Sequence, residues 1–468
     1  MILRDIDNEK AKGIASDTSR SLVRKNMLFD VDVLNDERER TTRQLRQDGF
    51  YLFNRDVLIF KADSAVGNNK IDAELSLREI PNISRDSLSA LLFTQYNIRN
   101  ITYIASTEGF MGSSVEVLAE RDTTVFRNYK LISPKEAYIT LDALIHNTFI
   151  ESGARFSDVA VQRSYSALNG LGPVKYVDIS FVPVGNNQLD CNITIVPAKT
   201  VNITGEVEGT YTGGYWGWGV SAGVVNRNLF KGAEELSTQI KIASEWQLGN
   251  WAQERTAQVG LKFPKFIFPF GSYDFKRNIH AKTDFQSNLS YQYRPQEFTV
   301  FNTGGLLRYS WESERKTHAL DFFNLSYVYF SHLDQTFIDK YLSTGLYNLY
   351  NYQSHFILRA AYSGTHTTFN PNRPLRNFST YSYGVETAGN LMYGINQLLG
   401  SEKASDGTYR IFNNRYAQYF RTEFNTTYHQ IIDKNNRIVF HAGVGLGVPF
   451  GNSDQIPFER RFYSGGAR

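Results

Sequence analysis

From Thr200 onward the chain alternates apolar and polar residues with a period of two, over stretches longer than the roughly five or six residues usual in soluble sheets. In Thr283 to Arg294, Phe285, Leu289, Tyr291 and Tyr293 share one face with Ser287 as its polar member, while Gln286, Asn288, Ser290, Gln292 and Arg294 share the other. Val201, Ile203, Val207 and Tyr211 likewise oppose Asn202, Thr204, Glu206, Glu208 and Thr210. Ile438, Phe440, Ala442, Val444, Leu446 and Val448 oppose Val439, His441, Gly443, Gly445 and Gly447, and Phe420, Phe424 and Tyr428 oppose Arg421, Glu423, Asn425 and His429. One face is apolar and the other wet, strand after strand.

Two architectures produce this pattern: a soluble barrel with an apolar interior, and a membrane barrel with an apolar exterior and a polar lumen. Strand number and aromatics separate them. A small soluble barrel needs about eight strands, whereas about eleven candidates here carry Tyr, Phe or Trp near their ends, as an interfacial girdle requires. The chain holds 33 Phe, 28 Tyr and 5 Trp at a mean hydropathy of −0.37, and no stretch approaches the roughly twenty apolar residues of a membrane-spanning helix. A membrane strand needs only alternate apolar residues, so low hydropathy is compatible with it.

Composition excludes other classes. A single cysteine rules out a disulfide framework or a multi-cysteine metal site. With 50 basic and 47 acidic residues, bulk attraction to nucleic acid has no source, and no nucleic-acid partner is expected. The opening Met-Ile-Leu-Arg-Asp-Ile-Asp-Asn-Glu-Lys has no apolar run and no lipoprotein cysteine, so either the protein stays inside the cell or its true start lies upstream.

Residues 1–198 read differently, as alternating helices and strands. Asp36 to Arg46 reads as a charged, solvent-facing helix stopped at Gly49, followed by strands at Val57 to Asp63 and Lys70 to Leu77 around a turn at Ala65 to Asn69. The order returns with a strand at Tyr96 to Ser106, helices at Pro134 to Phe149 and Ser157 to Leu168, and a hairpin of Val174 to Val182 with Leu189 to Val196 across Gly185-Asn-Asn187. This is one strand–helix–helix–hairpin module repeated, its first copy cut short.

The search for catalysis is nearly empty: no zinc-protease, phosphate-loop or nucleophile-elbow pattern is present, and no enzyme activity or cofactor is expected. Gly213-Gly-Tyr-Trp-Gly-Trp-Gly219 lies between strands and reads as a turn, not a dinucleotide loop. His355 and His366 fall beyond ligand spacing on one strand and read as solvated or lumen-facing; Cys191 reads as an inert strand residue; Glu206, Glu208, Glu386 and Glu423 read as hydrated charges of the polar face.

The order of these parts resembles the BamA/TamA superfamily, in which POTRA modules precede an outer-membrane barrel. Phe156 to Leu168 with Lys175 to Ile179 resembles the second helix and following strand of a barrel-proximal POTRA module. Asn226 to Glu234 resembles the turn between the second and third barrel strands, and Glu459-Arg-Arg-Phe-Tyr-Ser-Gly-Gly466 the start of the long sixth extracellular loop. Phe29 to Arg40 with Gly49 to Asn54 is most similar to the TamL-like, Bacteroidetes type. The fold so implied is α+β POTRA modules followed by an antiparallel transmembrane β-barrel, incomplete at roughly eleven of about sixteen strands. Residues 1–92 would be a truncated POTRA-like module, 93–198 the barrel-proximal module, and 199–468 the N-terminal part of the barrel. The loop's Arg-Gly-aromatic motif, the closing strands, the leading modules and the lipidated cysteine are missing, so a fragment of a longer protein, inactive alone, is expected.

The resemblance implies assembly or translocation of outer-membrane proteins at the cell outer membrane of a Gram-negative bacterium, with the POTRA modules periplasmic. Partners would be unfolded outer-membrane protein substrates, the lipid bilayer and a TamB-like periplasmic protein. Substrate strands would pair at the barrel seam, here Thr200, Val201, Ile203, Gly205, Val207, Gly209 and Tyr211, and at a POTRA edge strand, here Val174, Tyr176, Asp178 and Ser180. The sixth-loop motif would comprise Glu459, Arg460, Phe462, Tyr463, Gly465 and Gly466. A two-partner-secretion-type export pore and a soluble ligand-binding β protein are the competing classes.

Overall fold

A computed structural model describes residues 13, 21–67, 70–78, 81, 84–106, 121–135, 137–247, 249–313, 315–339, 352–370, 375–411, 413–433 and 435–462. The opening residues, Asn68 and Asn69 of the expected turn, and Tyr463, Gly465 and Gly466 of the loop motif lie outside them. The chain divides into two compact units, Met1–Ala198 and Lys199–Arg468.

The first unit opens with helix α1, Val31–Gln47, capped by the Asp30 side chain, which accepts from the Asp32 amide. It ends where Gly49 takes φ +100°, a conformation open to glycine, and the Phe50 amide reaches back to the Leu45 carbonyl. The helix is less solvent-facing than its charge implies: Glu37 is fully buried and held by both the Arg40 guanidinium at 2.8 and 2.9 Å and the Leu22 amide. Strands β1, Leu58–Asp63, and β2, Asp72–Leu77, form an antiparallel hairpin. With α2, Arg85–Leu92, they enclose a core of Leu45, Phe50, Phe53, Leu58, Leu75, Leu77, Leu88 and Leu92.

The second sheet of this unit holds β3, Asn97–Ala105, β4, Arg121–Phe126, β5, Tyr129–Pro134, β6, Val174–Pro183, and β7, Gln188–Pro197, in the order β4-β5-β3-β7-β6. Helices α3, Leu141–His146, and α4, Asp158–Asn169, accompany it. The helix expected over Pro134 to Phe149 shrinks to α3. Pro134 ends β5, and the Thr140 hydroxyl accepts from the Ala143 amide, which fixes the helix start at Leu141. The β4–β5 hairpin and α2 have no counterpart in the sequence reading.

The second unit is built on one eleven-stranded sheet, every neighbour antiparallel. Its strands are β8, Val201–Thr212, β9, Tyr215–Asn226, β10, Glu235–Gln247, β11, Asn250–Phe263, β12, Lys282–Arg294, β13, Phe298–Ser313, β14, Lys316–Leu333, β15, His355–Thr367, and β16, Phe378–Ala388. A two-residue hairpin, β17, Arg410–Ile411, and β18, Asn414–Arg415, precedes β19, Tyr419–Ile431, and β20, Arg437–Pro449. Helix α5, Tyr273–Ile279, lies between β11 and β12, and α6, Asn390–Leu398, follows β16. Apart from this hairpin, each strand of the unit pairs with its sequence neighbour, and among the described residues no ladder joins β20 to β8, so the sheet is not closed.

Register carries the alternation across the sheet. Ile203 faces Val224, Ile240 faces Ala257, and Ala257 faces Leu289, so apolar side chains of adjacent strands share one face. Ile203, Val207, Ile240, Val259, Leu289, Val444 and Leu446 on this face all remain exposed. No helix among the described residues is long and apolar enough to cross a membrane, which says nothing of strands.

Candidate functional site

Three places bring expected site residues together. The first is β8, which pairs only with β9 among the described strands and so offers its other backbone edge. Val201, Ile203, Val207 and Tyr211 project to the apolar face and are 54, 75, 83 and 63 % exposed, while Thr200 lies just before the strand and accepts from the Arg227 amide at 2.8 Å. Gly205 and Gly209 have open space where a side chain would stand. On the polar face Glu208 is ion-paired with Lys241 of β10, across glycine 219 of β9, whose missing side chain leaves room for the carboxylate. The turn from β9 to β10 is wound around Glu234: its carboxylate accepts from the Phe230 amide at 3.2 Å and the Gly232 amide at 2.8 Å, holding Lys231 and Ala233 at φ +62°.

The second is the outer edge of the first unit's sheet. Val174, Tyr176, Asp178 and Ser180 stand on β6, which among the described strands pairs with β7 alone. An open groove of about 410 Å³ runs between this strand and α4, with a mixed lining in which Gln162, Ser166 and Asp178 stand beside Val161, Tyr165 and Tyr176. Tyr165 and Tyr176 are exposed. A strand paired on one side only can add an extended peptide strand on the other. The adjoining β7 is locked by the Arg99 guanidinium, which donates to the Asp190 carboxylate at 2.9 Å and holds that carboxyl below the usual aspartate range. Cys191 is fully buried there, and burial pushes its thiol up to about 12, an unreactive setting.

The third lies on the polar face toward the end of β20. Residues 456–462 fold back onto it, with Glu459 in ion contact with His355 at 3.2 Å and the Arg421 guanidinium over the Phe462 ring at 4.1 Å. The row of glycines on this face of β20 makes room: a Cβ at Gly445 would collide with Phe462, and one at Gly447 with Ile456. His355 stands on the polar face, in contact with a carboxylate.

A row of alternating charge crosses the same face. Asp284 of β12 faces Arg308 of β13; Arg308 donates to Asp321 of β14 at 2.5 and 3.1 Å; Arg359 of β15 lies 3.5 Å from Asp321 and 3.0 Å from Glu386 of β16. Glu386 accepts from the Tyr419 hydroxyl at 3.0 Å and faces Arg421, which reaches Glu423 at 2.6 Å. Asp321 and Glu386 are only 5 and 6 % exposed, so Glu386 is a buried, paired carboxylate and not the hydrated charge expected. The sequence signal, an alternation of sign at one level of successive strands, appears only once the register is known. Among the described residues no cluster of His, Cys, Asp and Glu has metal-ligand geometry.

No protein-family model matches the chain, and no curated protein matches it. Among solved structures it is similar to BamA from Haemophilus ducreyi lacking POTRA domains 1–3, at 12 % identity and a TM-score of 0.48, covering 100 % of this chain and 74 % of that one. It is also similar to CdiB from Acinetobacter baumannii, at 10 % identity and a TM-score of 0.42 over 93 % of this chain and 63 % of that one. CdiB from Escherichia coli matches at 10 % identity and a TM-score of 0.38 over 91 % of this chain and 78 % of that one.

Proposed function

We propose that the chain belongs to an outer-membrane assembly or translocation factor, its second unit contributing barrel strands and its first unit standing in the periplasm as substrate-holding POTRA modules. The single observation that carries the reading is the eleven-stranded antiparallel sheet with one apolar face, which stays exposed on strand after strand from β8 to β12. A strand entering lipid cannot leave its N–H and C=O groups unpaired, at several kcal/mol each, so it must borrow an edge. β8 supplies such an edge with the same face-by-face alternation as an incoming membrane strand, and β6 supplies a second for substrate still in water. Lipid, unfolded outer-membrane proteins and a TamB-like protein are the partners proposed. The bare apolar face speaks against a soluble ligand-binding protein.

A photo-crosslinking residue at Thr204 or Glu208 of β8, in the protein within its native outer membrane, tests this during synthesis of a barrel substrate. Adducts with nascent barrel proteins are expected from β8 and not from Asn302 of β13, which is paired on both sides. Equal adducts from both positions, or none, would refute the seam assignment. An export pore would leave the β8 probe silent and instead capture an exported chain at Gln239 on the polar face.

A further inference from the structure

Helix α6 carries an apolar stripe that the core does not use. At about 100° per residue Leu391, Ile395, Leu398 and Leu399 fall on one side, and they are 63, 41, 89 and 76 % exposed. The helix has no charged residue, and none of its residues is buried. Its other side is fixed. Met392 and Tyr393 pack against a buried cluster of Phe356, Leu358, Tyr409 and Tyr416, joined by Leu325, Tyr327 and Ile411. The Asn396 amide donates to the Tyr416 hydroxyl at 3.4 Å, and the Asn414 amide to the Tyr327 hydroxyl at 2.9 Å. Gly389, at φ +76°, starts the helix where any Cβ would strike the Ala417 carbonyl, and its amide donates to Leu358.

Register places this cluster on the sheet's apolar face. Leu325 faces Leu358 on one side and Gly305 on the other, Gly305 faces Ser287, and Ser287 faces Val259, the row that leads to Val224 and Ile203. The insertion between β16 and β19 therefore lies over the apolar face, and α6 presents outward an apolar surface continuous with the one it covers. A helix meant for water in that place would show charge.

We propose that α6 is an interfacial membrane helix whose Leu391, Ile395, Leu398 and Leu399 stripe enters the acyl-chain region of the leaflet beside β14 and β15. The proposal rests on the reading that the sheet's apolar face meets lipid. The occupant is lipid and not a protein, because the stripe extends a face that spans the whole sheet instead of forming a bounded patch.

The test uses the full chain reconstituted in phosphatidylcholine vesicles, with Cys191→Ser as background and a bimane label at Leu398→Cys or, should that variant fold poorly, at Leu391→Cys. A label at Leu289→Cys on β12 reports the underlying reading separately. Loss of fluorescence with doxyl-labelled lipid at both the helix and β12, stronger for shallow than for deep doxyl groups at the helix, supports the proposal. Loss at Leu289 with none at either helix position overturns it while the membrane reading stands, whether the helix label is then quenched by aqueous iodide, meaning solvent, or by neither, meaning a protein cover or a second copy. Absence of doxyl quenching at Leu289 removes the reading and the proposal together.

Discussion

At Gly445 a single methyl group has no space to enter, because the Phe462 ring lies where it would stand. Gly445→Ala is expected to push Phe462 from beneath the Arg421 guanidinium and to cost about 1–3 kcal/mol through overpacking. Gly209→Ala, with nothing within 4 Å, is expected to change stability by no more than about 0.5 kcal/mol. Urea unfolding of the two variants in detergent micelles reads the difference. The charge row of the polar face gives a larger effect. Arg359 serves two carboxylates that water hardly reaches, so Arg359→Ala leaves Asp321 and Glu386, on the strands flanking β15, with one fewer cation and is expected to cost about 3–5 kcal/mol. Arg359→Ala combined with Glu386→Gln should recover part of that loss, and a cost equal to the sum of the singles would contradict the row as a coupled unit.

At the scale of elements, position in the sheet decides what a change does. Proline at Asn192 in β7, paired with β3 on one side and β6 on the other, is expected to cost about 3 kcal/mol or more. Proline at Asp178 in the edge strand β6 should be tolerated better and should instead block the addition of an extended peptide, read by loss of crosslinking from Tyr176. Acid acts on the same pair of central strands. Arg99 depresses the Asp190 carboxyl in the folded state, so this pairing stabilises the fold above the ordinary aspartate range and is lost as pH falls through the lowered value. Hydrogen exchange in the β3 and β7 amides of the full chain should therefore quicken in that acid window, and Asp190→Asn should remove the dependence.

Elements with strict alternation or strong punctuation were legible in the sequence. The β6–β7 hairpin turns where Gly185, Asn186 and Asn187 all take positive φ, residue types that tolerate it, and α4 begins at its Ser157 cap. What escaped depends on partners distant in sequence. Strand β4 leaves Val125 and Phe126 exposed, so its apolar residues do not mark a buried face, and α6 is amphipathic but was hidden inside a connection between strands. Glu386 looks like any other polar-face carboxylate until the register sets it beside Arg359 and Tyr419.

At the scale of the whole molecule, the surroundings that each face of the second unit's sheet meets decide where the protein resides. An apolar face left bare from β8 to β12 would drive association in water, and within a bilayer it becomes the surface that holds the sheet in place. The opposite face carries the paired charge row and the segment 456–462, so the two faces of the sheet differ in kind. Bimane labels at successive positions of β12, from Phe285 to Gln292 in the Cys191→Ser background, test this most directly in reconstituted vesicles. Doxyl lipid should quench Phe285, Leu289 and Tyr291, and aqueous iodide should quench Gln286, Asn288, Ser290 and Gln292, with a period of two residues along the strand. Iodide quenching on the polar set with no doxyl quenching on the apolar set would contradict the account and return the sheet to a soluble architecture.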